Sequence, residues 1–212
     1  MELLYTGAIK QDSEQLDSNI SLGGFVSNSV IPNDTLSNIF SQASILSVQN
    51  NRRETKMIAV KNNNLDIVTE LLFKFSIEND SICKYKIAFV KPTIVGNDSC
   101  FEQIANVNAL PYYAKFLPIE NNSTFEIESL SKDTYLGIWL VREYDQTVDS
   151  LKKKKCSDWM SILDAAGGDV ENIPTPNKVE NFSFSIDFTI GEPSISDSSS
   201  SSNSSSIITI SI

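Results

Sequence analysis

The sequence contains no histidine among its 212 residues. A Ser-His-Asp or Cys-His triad therefore cannot be assembled, and the commonest zinc ligand is missing. Cysteine is scarce as well, because Cys83, Cys100 and Cys156 lie far apart and outside any CxxC spacing, which predicts neither a disulfide framework nor a thiolate zinc site. The phosphate-binding patterns GxGxxG and GxxxxGKS/T do not occur. These absences predict a protein that is not an enzyme and that binds no metal or cofactor.

The sequence also has few basic residues and only short apolar runs. The chain has 17 basic and 27 acidic residues and a formal net charge of -10, so its surface repels polyanions and no sequence-specific nucleic-acid binding is expected. The longest apolar run, Tyr135 to Val141, is far shorter than the roughly 20 residues of a membrane-spanning helix. The first residues form no positively charged leader. We expect a soluble protein that is made in a cytoplasm and binds no membrane.

The abundant residues favour strands joined by turns. Isoleucine occurs 24 times and alanine only 9 times, and β-branched side chains suit a pleated sheet better than a helix. Asparagine and serine together number 50 and supply turn formers between short strands. The composition therefore predicts a mainly β protein.

Four segments are predicted to be strands, and in all but the third of them apolar and polar residues alternate with period two, the pattern of antiparallel strands with one buried face. They are Leu71 to Ile77, Cys83 to Phe89, Tyr135 to Val141 and Phe182 to Ile190. The run Glu78 to Ser81 predicts a hairpin turn between the first two. We predict an antiparallel, jelly-roll-like β-sandwich in which all four apolar faces share one core. The predicted core residues are Phe73, Phe75, Ile87, Trp139, Phe184, Ile186 and Phe188.

The chain divides into a body and two extended arms. Residues 1–20 are predicted to form an N-terminal arm that joins the core or reaches a neighbour, and residues 21–192 the sandwich domain. A capping box at Ser99 and Glu102 predicts a short helix from Cys100 to about Ala109. A helical insertion is predicted at about 146–178. Residues 193–212 are predicted to be a Ser-rich linker that ends in a strand.

Two segments are candidates for binding another subunit. The insertion carries an apolar cluster that docks on a neighbour or folds back over its own sandwich. The C-terminal strand needs a sheet edge, which belongs either to a neighbouring subunit, by β-augmentation, or to its own domain. The residues concerned are Trp159, Met160, Ile162 and Leu163 in the insertion and Ile207, Ile208, Ile210 and Ile212 in the strand.

Other patterns favour ordinary structural roles. The carboxylate pairs Glu126/Glu128 and Asp66/Glu70 could serve a glycosidase, but solvated charges on strand faces are the favoured interpretation. The basic run Lys152 to Lys155 could contact phosphate, but a solvated loop is favoured. An alternative function, a carbohydrate-binding sandwich module for host attachment, would need exposed aromatic residues. The candidates are Tyr112, Tyr113 and Trp159.

The order of the motifs resembles a widespread group of tailed-phage virion β-sandwich proteins. The matching segments are Gly23-Gly24, Ile39-Phe40, Glu54 to Asn62, Leu136 to Arg142 and Phe182 to Ile186. The resemblance spans about residues 20–190. It departs from the group where Arg52-Arg53-Glu54-Thr55 replaces a Tyr-Arg pair, and where residues 145–180 exceed the usual loop.

The resemblance implies a structural subunit of a virion that is assembled in the host cytoplasm. It implies a ring of the head-to-tail connector or tail hub, with copies of the chain and with portal, tail or ring proteins as partners. An acidic subunit suits a DNA conduit, because like charge keeps a passing duplex from sticking.

Overall fold

The protein folds into two antiparallel β-sheets. The computed structural model describes residues 1–32, 39–40, 53–77, 83–144, 182–190 and 208–211. The strands are β1 (Glu2–Ala8), β2 (Gly24–Val30), β3 (Arg53–Lys61), β4 (Val68–Ile77), β5 (Cys83–Val90), β6 (Thr93–Val95), β7 (Asp98–Phe101), β8 (Leu117–Ile119), β9 (Thr124–Leu130), β10 (Tyr135–Tyr144), β11 (Phe182–Ile190) and β12 (Ile208–Ser211). A 3-10 turn at Ser18–Ile20 is the only helical element in the described ranges.

The two sheets differ in size. The larger has eight strands in the order β6-β7-β2-β1-β3-β10-β5-β8, and the smaller has four in the order β12-β11-β4-β9. Every pairing between described strands is antiparallel. The predicted mainly β, antiparallel fold is confirmed. The predicted helical insertion lies outside the described residues.

One apolar cluster joins the two sheets. All four predicted strand segments contribute residues to it, but the third also places Tyr135 and Trp139 in a second cluster. The Tyr85 ring of the larger sheet stacks on the Phe182 ring of the smaller, with centroids 4.3 Å apart. Phe75 and Phe184 stack within the smaller sheet at 5.5 Å. The predicted core residues in this cluster are all buried: Phe73, Phe75, Ile87, Phe184, Ile186 and Phe188.

The larger sheet also buries its opposite face. Trp139, predicted as a core residue, is 1% exposed and belongs to a second apolar cluster with Met57 and Phe101. This cluster is covered by two loops, residues 9–23 and 102–116, whose Leu22, Ala109, Ala114 and Phe116 pack against it. The sheet therefore has two buried faces, one covered by strands and one by loops.

Close backbone contacts hold the loops in place. Gly23 has φ +89°, and a Cβ there would lie 1.8 Å from the carbonyl oxygen of Glu102. Ile104 donates its N–H to the carbonyl of Leu22 at 3.0 Å, which ties the second loop to the first. Only glycine fits at position 23, because any side chain would collide with the neighbouring loop.

Two local predictions are wrong, and for a third the structure shows one of the two predicted alternatives. The predicted helix from Cys100 to Ala109 is wrong, since Cys100 pairs with Phe25 and Thr93 within β7 and sheet pairing overrides the local capping signal. The predicted hairpin between β4 and β5 is wrong as well, because these strands lie in different sheets. Residues 2–8 of the predicted N-terminal arm join the core as β1, between β2 and β3.

Candidate functional site

The C-terminal edge of the smaller sheet, formed by β11 and β12, is the first candidate for an interaction site. Strand β11 lies between β4 and β12. Its Phe184 and Ile186 are buried and oppose Ile210 and Ile208 in the backbone register. In the described part of the chain β12 pairs with β11 alone and forms the outermost strand. The last strand is thus held through a single neighbour.

The connection that leads to β12 is unusually long for neighbouring antiparallel strands. Seventeen residues, 191–207, separate β11 from β12, and ten of them are serine. Hairpin loops normally need about 2–5 residues. Fully extended, this connection would reach about 55 Å at roughly 3.3 Å per residue. Its length exceeds what pairing within one chain requires.

The structure describes only two of the residues predicted to bind another subunit. The backbones of Ile208 and Ile210 pair with β11 of the same chain, which is the alternative in which the strand returns to its own sandwich. The remaining predicted residues lie outside the described part of the chain: Trp159, Met160, Ile162, Leu163, Ile207 and Ile212. Binding to another subunit at any of these positions stays a prediction.

The opposite edge of the smaller sheet is formed by β9. Glu126 and Glu128 are exposed on this strand, while Phe125 and Ile127 between them are partly buried against the core. This placement matches the solvated strand-face charges that were favoured over catalytic carboxylates. In the other pair, Asp66 lies in the turn before β4 and Glu70 is exposed within β4. In the ranges that the structure describes, no group of three acidic or cysteine residues could hold a metal ion.

A second candidate site is an aromatic pair, Tyr112 and Tyr113, on the loop over the outer face of the larger sheet. Each side chain is 85% exposed. Their rings stand at 83° to each other with centroids 4.9 Å apart. The preceding Pro111 is buried, so the pair stands on a packed base. The loop therefore presents two open ring faces and two phenolic hydroxyls to solvent.

Glu102 fixes the backbone beneath this pair, a role that sequence reasoning missed. Its Oε1 accepts a hydrogen bond from the Tyr112 N–H at 2.6 Å, and its Oε2 accepts one from Tyr113 at 3.2 Å. Hydrogen bonds to a carboxylate are about twice as strong as neutral ones. The sequence pattern at Glu102 predicts a capping box, in which the carboxylate binds a nearby backbone N–H. In the structure Glu102 does bind backbone N–H groups, but they belong to loop residues about ten positions further along the chain.

A buried charged cluster lies where β3 and β10 pair. Lys56 is fully buried, and its Nζ donates to the Ser18 carbonyl at 3.0 Å and lies 3.5 Å from Glu54 Oε1. Glu54 also pairs with Arg142 through its other oxygen. Burial lowers the pKa of Lys56, and the neighbouring Glu54 offsets part of that effect.

An amine of lowered pKa can act as a nucleophile, but Lys56 has a different use here. Its ammonium group also lies 3.5 Å from Asn19 Oδ1, so three acceptors surround its three donors. These contacts tie the 3-10 turn at Ser18–Ile20 to β3. We assign Lys56 a structural role in holding the first loop.

No protein-family model, curated protein or solved structure matches the chain. Within the described residues, no helix is long and apolar enough to cross a membrane. The function is therefore inferred from the residues and geometry of this chain.

Proposed function

We propose that this chain is a structural subunit of a multi-copy assembly, which binds copies of itself and neighbouring proteins through its sheet edges. The observation that carries the proposal is the C-terminal strand β12, which adds to the edge of β11 after a 17-residue connection. Strand addition at an edge is a recurring mode of protein association, because main-chain hydrogen bonds supply the affinity.

The composition of the C-terminus supports this use. Residues 207–212 contain four isoleucines and no charge. Such a strand needs a sheet edge, since an unpaired apolar strand promotes aggregation. The preceding serine-rich connection has too little apolar surface to form a core of its own. The C-terminus thus combines a strand that must pair with a connection long enough to reach another sheet edge.

The proposed location is a tailed-phage virion, in a ring of the head-to-tail connector or tail hub. This location rests on the resemblance of the strand motifs. Those motifs fall on β3 and β10, which pair along nine residues, and on β11, which carries the C-terminal edge. The proposed partners are other copies in a ring and the portal, tail or ring proteins beside it. The net charge of -10 suits a channel that conducts DNA.

The experiment has two parts. Sedimentation velocity of the purified chain should show closed oligomers at high protein concentration, and negative-stain microscopy of cross-linked samples should show rings. Quantitative mass spectrometry of phage particles that encode the chain should find it in fixed stoichiometry with the portal protein. A chain that stays monomeric at every concentration and is absent from particles would overturn the proposal.

The exposed tyrosine pair supports a second candidate function, binding of neutral carbohydrate. A pyranose ring can stack its C–H face on an aromatic ring while its hydroxyls bond to phenolic O–H groups. Tyr112 and Tyr113 offer both chemistries on a backbone that Glu102 holds. Tyrosine suits such a surface because its two side-chain torsions lose little entropy on binding.

An array of neutral oligosaccharides tests this candidate. The parent chain should bind at least one of them, and Tyr112→Ala and Tyr113→Ala should each weaken that binding at least tenfold. Leu65→Ala is the matched control, because Leu65 is 82% exposed in the turn between β3 and β4. An array without any binder, or binding that survives both tyrosine changes, would rule the candidate out.

A further inference from the structure

The attachment of β12 differs from that of the other strands in its sheet. Strand β4 is hydrogen-bonded on both sides, to β11 and to β9, whereas β12 pairs with β11 alone among the described strands. Four residue pairs, from Ser183↔Ser211 to Ile186↔Ile208, join β12 to β11. Detaching β12 therefore breaks one short ladder and leaves the remaining described pairings intact.

If β12 detaches from β11, another strand must take its place. Without it, β11 exposes a row of unpaired N–H and C=O groups beside the buried Phe184 and Ile186. Unpaired backbone groups at a sheet edge attract any other strand that can reach them. The strand that matches the edge in register and sequence is β12 of a second copy. Reciprocal exchange between copies would restore every pair that departure removes.

A given β11 can pair with its own β12 or with the β12 of a neighbouring copy. The ladder is the same in the two cases, so the distance to each strand decides which one binds. A connection of this length holds its own strand at an effective concentration of roughly millimolar. In dilute solution the strand therefore stays on its own β11. In an assembly, a neighbouring β11 edge within the reach of about 55 Å competes on similar terms.

We infer that β12 is exchanged between neighbouring copies of this chain within the assembly and remains on its own β11 in the free subunit. The partner is a second copy of the chain, and the site is the β11 edge from Ser183 to Ile186. The inference rests on the proposed function, since it needs subunits packed side by side. It adds a mechanism that locks subunits together after they have met.

Cross-strand cysteines test the inference directly. Ser185 and Thr209 oppose each other in the β11–β12 register, so a cysteine at each can form a disulfide across the ladder. Chains with Ser185→Cys and chains with Thr209→Cys are prepared separately, with Cys83, Cys100 and Cys156 replaced by alanine. The two are mixed, assembled at about 1 mM protein, the connection's effective concentration, and oxidised. Non-reducing gels and peptide mapping identify the bond.

Exchange predicts a disulfide between the two different chains in the assembled mixture, and none when the same mixture is oxidised dilute. The dilute double variant Ser185→Cys/Thr209→Cys should form the bond within one chain. The matched control uses Leu72→Cys chains mixed with Glu126→Cys chains, because Leu72 and Glu126 oppose each other on β4 and β9, a pair that should not exchange.

The outcomes separate the inference from the proposed function. Assembly without any interchain bond between positions 185 and 209 would overturn exchange and leave the structural-subunit proposal standing. An equal yield of interchain bonds in the Leu72/Glu126 control would also overturn it, since that yield would report random collision. Failure of the parent chain to assemble at any concentration would contradict both.

Discussion

The two edges of the four-stranded sheet are built in opposite ways. The β9 edge carries exposed Glu126 and Glu128 at alternate positions, and charges on an edge strand discourage pairing with another chain. The β12 edge, Ile208–Ser211, carries no charge and is joined to the body through a serine-rich connection. One edge strand therefore carries charges that oppose pairing with another chain, and the other carries none.

The difference extends to the core beneath each edge. On the β9 side, Phe125 contacts both Phe75 and Phe89, with ring centroids 5.7 and 6.0 Å apart, so the strand is fixed by packing as well as by its ladder. On the other side the buried aromatic residues belong to β11, one strand inward of β12. The aromatic packing of this sheet therefore extends from β9 across β4 to β11.

The largest expected effect is on stability at β11. Phe184 is 2% exposed, and Phe184→Ala should lower the free energy of unfolding by about 3–5 kcal/mol, the usual cost of emptying a buried aromatic site. Phe125→Ala on β9 should cost less, because Phe125 is only partly buried. Urea denaturation of both variants measures the difference. If Phe184→Ala unfolds at the same urea concentration as the parent, β11 is not a core strand.

Removing β12 should affect assembly of the chain more than its stability. A chain ending at Pro193 loses the four residue pairs of the β11–β12 ladder. Alternate pairs of an antiparallel ladder exchange two hydrogen bonds each, so the loss should cost about 4 kcal/mol at roughly 1 kcal/mol per hydrogen bond. It should still unfold cooperatively but no longer assemble. Calorimetry and sedimentation velocity check the two parts. A truncated chain that assembles like the parent, or that fails to fold, would remove the distinction between the edges.

The sequence predicts the strands of the body far better than their partners. Period-two alternation predicts β4, β5 and β11, because half-buried strands repeat every two residues whatever they pair with. The same pattern holds no information on pairing, so β4 and β5 were joined as a hairpin although they lie in different sheets. Pairing is decided by the whole core, which a short window of sequence does not contain.

The candidate sites were predictable only in part. The apolar C-terminal strand is visible in the composition of residues 207–212, and an unpaired strand of that kind requires an edge. The sequence pattern does not encode whether that edge belongs to the same chain or to a neighbour. The contact of Glu102 with Tyr112 joins residues ten apart across an irregular loop, and no periodic signal reports such a contact.

Removing the two glutamates from β9 should leave that edge uncharged, like the β12 edge. The double change Glu126→Val/Glu128→Val leaves the core untouched, so the free energy of unfolding should change by no more than about 0.5 kcal/mol, as for other surface positions. The variant should nevertheless associate as its concentration rises. Light scattering measures this, with Glu120→Val, an exposed position between β8 and β9, as the control. If the variant stays as dispersed as the control, the glutamates do not protect the β9 edge.

The most direct test of assembly through the C-terminal edge is sedimentation velocity of a chain carrying Thr209→Pro and Ile210→Pro. Only alternate residues of an antiparallel edge strand donate N–H groups to one neighbour, so one of these two adjacent prolines must remove a donor from the ladder with β11. The parent chain should form larger species as its concentration increases. The proline variant should remain a single folded subunit over the same range. Equal assembly of parent and variant would contradict the account.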